Sequence, residues 1–65
     1  MKKQFNNRVG NLLPGDRFKI AGNNRTYKAL EWRGDRIIYV EEGCAILRAL
    51  WRYGNTRIAI QNTDY

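Results

Sequence analysis

Short segments of alternating polar and apolar residues recur along this 65-residue chain and predict β-strands. Residues 17–20 and 56–61 alternate with a period of two, which is typical of a strand with one buried face. Residues 36–40, Arg-Ile-Ile-Tyr-Val, form the clearest strand because β-branched and aromatic residues favour an extended backbone. In the last segment we expect Ile58 and Ile60 to point inward.

Tight turns separate the predicted strands at short intervals. Residues 13–16, Leu-Pro-Gly-Asp, contain a proline that fixes φ and a glycine that permits a positive φ. A further strand is predicted over residues 25–32, which contain several β-formers in mixed alternation. The remaining turns are residues 22–24, 33–35 and 41–43.

Residues 44–53 decide the fold class, because their sequence is compatible with a strand or a helix. As a helix, the segment follows two glutamates, contains strong helix formers and ends at Gly54. As a strand, it has a uniformly apolar face and is followed by Gly54-Asn55, a two-residue hairpin turn into the last strand. The face predicted to point inward is Ala45, Leu47, Ala49, Trp51 and Tyr53. We favour the strand, with an α+β fold carrying a helix at 44–53 as the alternative.

Five short strands joined by tight turns predict an all-β domain that closes into a small five-stranded barrel and so removes its exposed edges. The sequence Leu-Pro-Gly-Asp-Arg-Phe at 13–18, followed by Tyr-Lys-Ala-Leu-Glu at 27–31, resembles short bacterial and phage-encoded SH3-like barrel proteins. The similarity covers about a third of the chain, and its residues form turns and core, so it implies a fold and little about activity.

A chain of this length forms one domain with a small core. We expect residues 1–11 to form a flexible basic arm and residues 12–65 to form the barrel. Cys44 is the only cysteine and histidine is absent, so neither an internal disulfide nor a zinc-type cluster can form. We interpret Cys44 as a small buried thiol. Self-association is the remaining way for such a chain to gain stability, and a homo-oligomer is therefore left open.

The residue types give little support for catalysis or membrane insertion. Histidine, the usual acid–base group at neutral pH, is missing, and the sequence contains no phosphate-binding loop or metal motif. We therefore expect no enzyme activity and no cofactor. No apolar stretch approaches the roughly 18 residues that cross a bilayer, and a single thiol suits a reducing interior. The expected location is the cytoplasm, with no membrane partner.

Charge and aromatic content indicate the class of partner. The formal net charge is +6, and arginines are interleaved with aromatic residues, most densely in Arg-Ala-Leu-Trp-Arg-Tyr at 48–53. Arginine donates to phosphates through a planar fork and stacks on bases, so the mixture is suited to nucleic acid. One interpretation makes the rings of Trp32, Trp51 and Tyr53 a stacking platform. The other places Trp51 and Tyr53 in the core.

We predict a noncatalytic nucleic-acid-binding barrel with separate groups for phosphates and for bases. Strand arginines would contact phosphates, one exposed ring would stack on bases, and the arm would add salt-sensitive affinity. The predicted residues are Arg48, Arg52 and Arg57 for phosphates, Trp32 or Tyr39 for stacking, and Lys2, Lys3 and Arg8 in the arm. The alternative is a protein-interaction module, such as a phage or mobile-element factor, that binds an acidic host protein or forms homo-oligomers.

Overall fold

A computed structural model of the chain describes residues 5–61. Six strands and one short 3-10 helix lie within them. The strands are β1 (Asn7–Arg8), β2 (Arg17–Ile20), β3 (Thr26–Arg33), β4 (Arg36–Glu41), β5 (Leu47–Trp51) and β6 (Arg57–Ile60), and the 3-10 helix η1 spans Val9–Asn11. Neighbouring strands are antiparallel and form one sheet in the order β1-β6-β2-β3-β4-β5. The prediction of an all-β fold is therefore confirmed.

The sheet differs from the predicted five-stranded barrel in strand number and in closure. The additional strand is β1, which pairs with β6. Within residues 5–61, β1 and β5 lie at the two ends of the strand order and do not pair with each other. Hydrogen bonding therefore does not close the sheet into a barrel. The helix alternative for residues 44–53 is wrong, since residues 47–51 form β5. No helix in the described part of the chain is long and apolar enough to span a membrane.

Three aromatic rings occupy the centre of the core. Phe18 contacts Tyr27 and Tyr39 with ring centroids 5.6 Å apart in both cases, and the two tyrosine rings meet edge-on at 5.3 Å. The ring quadrupole favours such tilted and edge-to-face pairs. The fully buried residues around them are Val9, Leu12, Ala29, Ile37 and Ile58. As predicted, Ile58 faces this core, and Ile60 packs against it.

Side-chain and backbone contacts hold the two ends of the sheet near each other. The indole Nε1 of Trp32 donates a hydrogen bond to the carbonyl oxygen of Leu12 at 2.9 Å. The guanidinium carbon of Arg52 lies 4.1 Å from the centroid of the same ring. A Cβ placed on Gly10 would lie 3.6 Å from Cγ of Arg52, so η1 passes directly beside the residue that follows β5. These contacts explain how a sheet with two unpaired ends encloses a core.

Strand β3 contains a β-bulge. Ala29 and Glu31 lie opposite consecutive residues of β4, so Leu30 is an extra residue without its own partner position. An extra residue shifts the alternation of side chains by one position. Ala29 and Trp32 therefore both face the core, while Glu31 is exposed. The bulge accounts for the mixed alternation of residues 25–32.

The predicted turn at residues 13–16 is confirmed, and a buried carboxylate fixes it. Asp16 is 8% exposed, and its Oδ2 accepts a hydrogen bond from the N–H of Leu13 at 2.8 Å. Two backbone bonds join the turn to β3, because Ala29 accepts from the N–H of Gly15 at 2.9 Å and donates to the carbonyl of Asp16 at 2.8 Å. Gly15 adopts a φ of 94°, which residues with a side chain rarely adopt.

Strand β5 presents the opposite face to the one predicted. Its register places Leu50 opposite the fully buried Ile37, so Leu50 turns toward the core. Because side chains alternate, Leu47 and Trp51 point outward and are 59% and 53% exposed. The other members of the predicted inward row, Ala45, Ala49 and Tyr53, are also exposed. The prediction that these five residues point inward is wrong, because pairing with the buried residues of β4 determines which face of β5 turns toward the core.

Two local predictions beside β5 also fail. Residues 54–55 do not form a hairpin turn between paired strands, because β6 lies between β1 and β2. The thiol of Cys44, expected to be buried, is exposed. The hairpin is absent because β5 and β6 are not neighbours in the sheet, and Cys44 is exposed because it precedes a strand at the sheet edge.

Part of the segment expected to form a basic arm lies on the sheet. Asn7 and Arg8 pair with β6, and Val9 in η1 is fully buried in the core. Lys2 and Lys3 lie outside the described residues.

Candidate nucleic-acid interface

Five basic side chains lie on the outer face of the sheet toward its β1 end. Strand register assigns them to this face, since Arg8 is opposite Arg57 and Arg17 is opposite Lys28. Lys19 shares the face with Arg17, because both alternate with the buried Phe18. We call Arg8, Arg17, Lys19, Lys28 and Arg57 the cationic face. Its members come from the four neighbouring strands β1, β6, β2 and β3.

Arg8 and Arg57 are opposed where their strands come closest. The carbonyl of Arg57 accepts a hydrogen bond from Ala21 on β2, so the backbone polar groups of Arg57 point away from β1. Arg8 and Arg57 therefore form a non-hydrogen-bonded pair, in which Cα atoms lie about 4.5 Å apart and side chains are closest. Both residues are exposed. Like charges directly opposite each other destabilise a sheet, so an anion between them would relieve a repulsion.

Carboxylates neutralise little of the cationic face. Arg17 forms an ion pair with Glu42 at 2.6 Å. Lys19 Nζ donates to the backbone carbonyl of Asn24 at 3.0 Å, a bond that does not compensate its charge. The other ion pairs in the described part of the chain are Arg25–Glu41 and Arg33–Glu31. Four of the five cations thus have no carboxylate partner among residues 5–61.

Two of the predicted site residues, Trp32 and Arg52, contact each other and are both half-buried. Arg52 covers the ring of Trp32, which is half-buried and bonded through Nε1 to the backbone. Cation–π contacts and buried indole hydrogen bonds stabilise a fold, and here they close the end of the core. Arg48 is exposed and lies opposite Tyr39 on β4. The register therefore does not group Arg48 and Arg52 with Arg57.

Tyr39 belongs to the core. It is 7% exposed, and its ring contacts Phe18 and Tyr27. Burial raises the pKa of the Tyr39 phenol above its ordinary value, and the nearby Arg48 opposes this by a smaller amount. A base cannot stack on this ring while the aromatic cluster is intact.

Sequence reasoning identified Arg8 and Arg57 but missed three members of the cationic face. The alternation of residues 17–20 was a usable signal, because it places Arg17 and Lys19 on one side of a strand and Phe18 on the other. The sequence around Lys28 has no regular alternation that would place its side chain on one face. Its place on the face depends on long-range register, which local sequence does not reveal.

A second exposed surface lies at the other end of the strand order and is apolar. It consists of Leu47, Ala49 and Trp51, and we call it the β5 edge. Trp51 packs edge-on against Tyr53, with ring centroids 5.4 Å apart and an interplanar angle of 81°. Arg36 on β4 lies opposite Trp51. This surface was not expected from the sequence, because Trp51 and Tyr53 were predicted to point inward.

No protein-family model matches the chain, and no curated protein or solved structure matches it. Within residues 5–61, no group of three or more His, Cys, Asp or Glu side chains could hold a metal ion. The geometry and charge of the two surfaces are therefore the features that indicate a function.

Proposed function

We propose that this protein is a noncatalytic nucleic-acid-binding domain that contacts the phosphate backbone through its cationic face. The observation that carries this is the opposition of Arg8 and Arg57, neither of which has a carboxylate partner in the described chain. A phosphate between two guanidinium groups accepts charge-assisted hydrogen bonds from both. Binding would replace a like-charge repulsion with two attractive contacts.

The rest of the cationic face extends the contact beyond one phosphate. Neighbouring strands lie about 4.8 Å apart, so cations on four adjacent strands span a distance covered by several phosphates of one nucleic-acid strand. Lys19 and Lys28 continue the positive surface from the Arg8–Arg57 pair across β2 and β3. The formal net charge of +6 adds long-range attraction to a polyanion.

Recognition through this face would involve the backbone and not the bases. The cross-strand partners of its five cations are other cations or small and aliphatic residues, so no ring lies directly beside them for stacking. Phosphate contacts position a protein on nucleic acid and carry no sequence information. We therefore expect an affinity that depends steeply on salt and little on sequence.

Replacing the opposed arginines tests the proposal. We expect the double variant R8Q/R57Q to bind a labelled DNA duplex more weakly than the native protein. The slope of log K against log salt concentration should become shallower by about 1.8, because each lost phosphate contact contributes about 0.9. Fluorescence anisotropy at several salt concentrations measures the affinity and the slope together.

The double variant R25Q/R33Q is the matched control. It also lowers the formal net charge of +6 by two, but both of its arginines are paired with carboxylates, Glu41 and Glu31. This variant should keep most of the affinity and slope. An equal loss in both variants would assign binding to net charge instead of to the cationic face. No binding by the native protein at low salt, with capture of an acidic protein from nuclease-treated lysate, would favour a protein-interaction module.

We infer an SH3-like arrangement for the scaffold that carries this face. The continuous meander β2-β3-β4-β5 and the close approach of η1 to Arg52 support such an arrangement. The cationic face would then lie on the outside of a small, nearly closed barrel. An experimental structure in which Gly10 and Arg52 are far apart would contradict it.

A further inference from the structure

Strand β5 is at an edge of the sheet, and half of its backbone groups point away from the molecule. The N–H of Arg52 donates to the carbonyl of Asp35 at 2.7 Å, so these residues form a hydrogen-bonded pair. Hydrogen-bonded and non-hydrogen-bonded pairs alternate along an antiparallel ladder. Leu47, Ala49 and Trp51 are therefore the residues whose N–H and C=O groups point away from β4. No described strand pairs with this side of β5.

The side chains of the same three residues leave the edge unprotected. Proteins usually protect an edge strand with lysine, proline or a bulge, because unpaired backbone groups attract another strand. The sequence of β5, Leu-Arg-Ala-Leu-Trp, has none of these. Its single charge, Arg48, lies on the face opposite to Leu47 and Trp51. An apolar edge with free backbone groups is suited to pairing with a further strand.

The β5 sequence is self-complementary when two copies run antiparallel about a two-fold axis at Ala49. Leu47 of one copy then lies opposite Trp51 of the other, and the two Ala49 residues lie opposite each other. All of these residues have outward-pointing backbone groups, so each opposed pair can be hydrogen-bonded. Arg48 falls opposite Leu50, which keeps like charges out of direct opposition. A two-fold interface requires this kind of self-match.

We propose that the protein forms a homodimer by antiparallel pairing of two β5 edges. Pairing joins two six-stranded sheets into one continuous sheet and covers the β5 edge of each copy. It also places the Leu47 side chain of each copy against the Trp51 ring of the other. A chain of 65 residues has a small core, and burial against a second copy supplies apolar contacts that the monomer lacks.

The proposed dimer and the proposed nucleic-acid complex should respond to salt in opposite directions. Each copy carries a formal net charge of +6, so two copies repel each other at low ionic strength. Screening should therefore strengthen dimerisation, whereas it weakens binding to a polyanion. The two properties can fail independently, since one depends on β5 and the other on the cationic face.

Light scattering after size exclusion tests the dimer on the intact chain. Samples from micromolar to millimolar concentration would be measured at low salt and at about 1 M salt, where the Debye length is about 3 Å. We expect the mass to rise from 7.7 kDa toward twice that value, and to do so at lower concentration in high salt.

Two variants locate the interface. Ala49→Pro removes an outward-pointing N–H and no bond to β4, and proline is tolerated on the free side of an edge strand. Leu47→Lys places a charge in the apolar contact. Leu13→Lys is the matched control, because Leu13 is 64% exposed in the turn before β2. We expect the first two variants to raise the dimer dissociation constant at least tenfold and the control to leave it unchanged. Circular dichroism verifies that each variant is folded. If Ala49→Pro does not fold, the comparison of Leu47→Lys with Leu13→Lys decides the outcome.

Three results would overturn the proposal. The first is a native protein that stays monomeric up to millimolar concentration at high salt. The second is a dimer that persists in both folded β5 variants, since another surface would then form it. The third is an equal effect of Leu47→Lys and Leu13→Lys, which would attribute the change to added charge.

Discussion

The binding role proposed for Arg57 opposes the effect of this residue on the stability of the fold. Toward Arg8 it presents a like charge across a closely spaced strand pair, and toward a phosphate it presents a fork of hydrogen-bond donors. Binding residues often lower the stability of the free protein in this way. A stability measurement without any ligand can therefore test the geometry on which the proposed function depends.

We expect Arg57→Gln to raise the free energy of unfolding at low salt by roughly 0.2–0.5 kcal/mol, because it removes the repulsion between two exposed charges. The gain should disappear at high salt, where the repulsion is screened. Urea unfolding at two salt concentrations measures both. Arg25→Gln is the control and should give no gain, since Arg25 is paired with Glu41 and lies outside the strands. A loss of stability in Arg57→Gln at low salt would contradict the like-charge pair.

Tyr39 gives a prediction for alkaline pH. Burial raises its folded-state pKa, so above about pH 10 the unfolded chain loses the phenolic proton while the folded protein retains it. Unfolding then releases a proton, and the free energy of unfolding should fall as the pH rises from about 10 through the folded-state pKa. Chemical denaturation between pH 8 and 11 would show the fall. It should be smaller in Tyr39→Phe, and an identical pH profile would place the titrating group elsewhere.

At the scale of the element, the turn at residues 13–16 depends on one buried carboxylate. Asp16→Ala removes the acceptor for the Leu13 N–H, and a hydrogen bond to a charged group contributes about 1.5–3 kcal/mol. We expect the free energy of unfolding to decrease by about that amount in thermal or urea unfolding. Asp35→Ala is the matched control because Asp35 is exposed in the turn between β3 and β4. Equal effects of the two substitutions would indicate a general charge effect.

Local alternation located the strands of this protein but did not give the phase of each one. Residues 17–20 and 36–40 are strands because their side chains alternate or branch at Cβ, and both properties can be read from a few residues. The phase of β5 depends on Leu50 lying opposite Ile37, a pairing that local sequence does not specify. Strand β1 was missed because two polar residues have no alternation, and its partner β6 is distant in the sequence.

The candidate site was predictable to the same extent. Composition indicated a basic surface, and two of its members, Arg8 and Arg57, were named from the sequence. Their opposition was not, because it depends on pairing between the two ends of the described chain. Trp32 and Tyr39 were expected to be available for stacking because aromatic residue type does not distinguish a core ring from an exposed one. Register and packing assign Tyr39 to the core and Trp32 to the contact with Arg52.

At the scale of the whole molecule, two surfaces of different chemistry occupy different ends of the strand order. The cationic face lies on β1, β6, β2 and β3, and the β5 edge lies at the far end. Increasing salt should weaken contacts made by the first and strengthen contacts made by the second. One salt series on the native protein, followed by anisotropy and by light scattering, would therefore report on both.

The β-bulge in β3 has a consequence for the shape of the protein. If Leu30 were deleted, Ala29 and Trp32 would still face inward and Glu31 outward, because the alternation of the remaining residues is regular. Leu30 is thus not needed to place the side chains of β3 on the correct faces of the sheet. Its contribution is the local bend and added twist that a bulge gives a strand. A chain without it should keep its strands but flatten, so that Leu12 moves out of reach of the Trp32 indole. The curvature that lets so short a sheet wrap around three aromatic rings would then depend on a single inserted leucine.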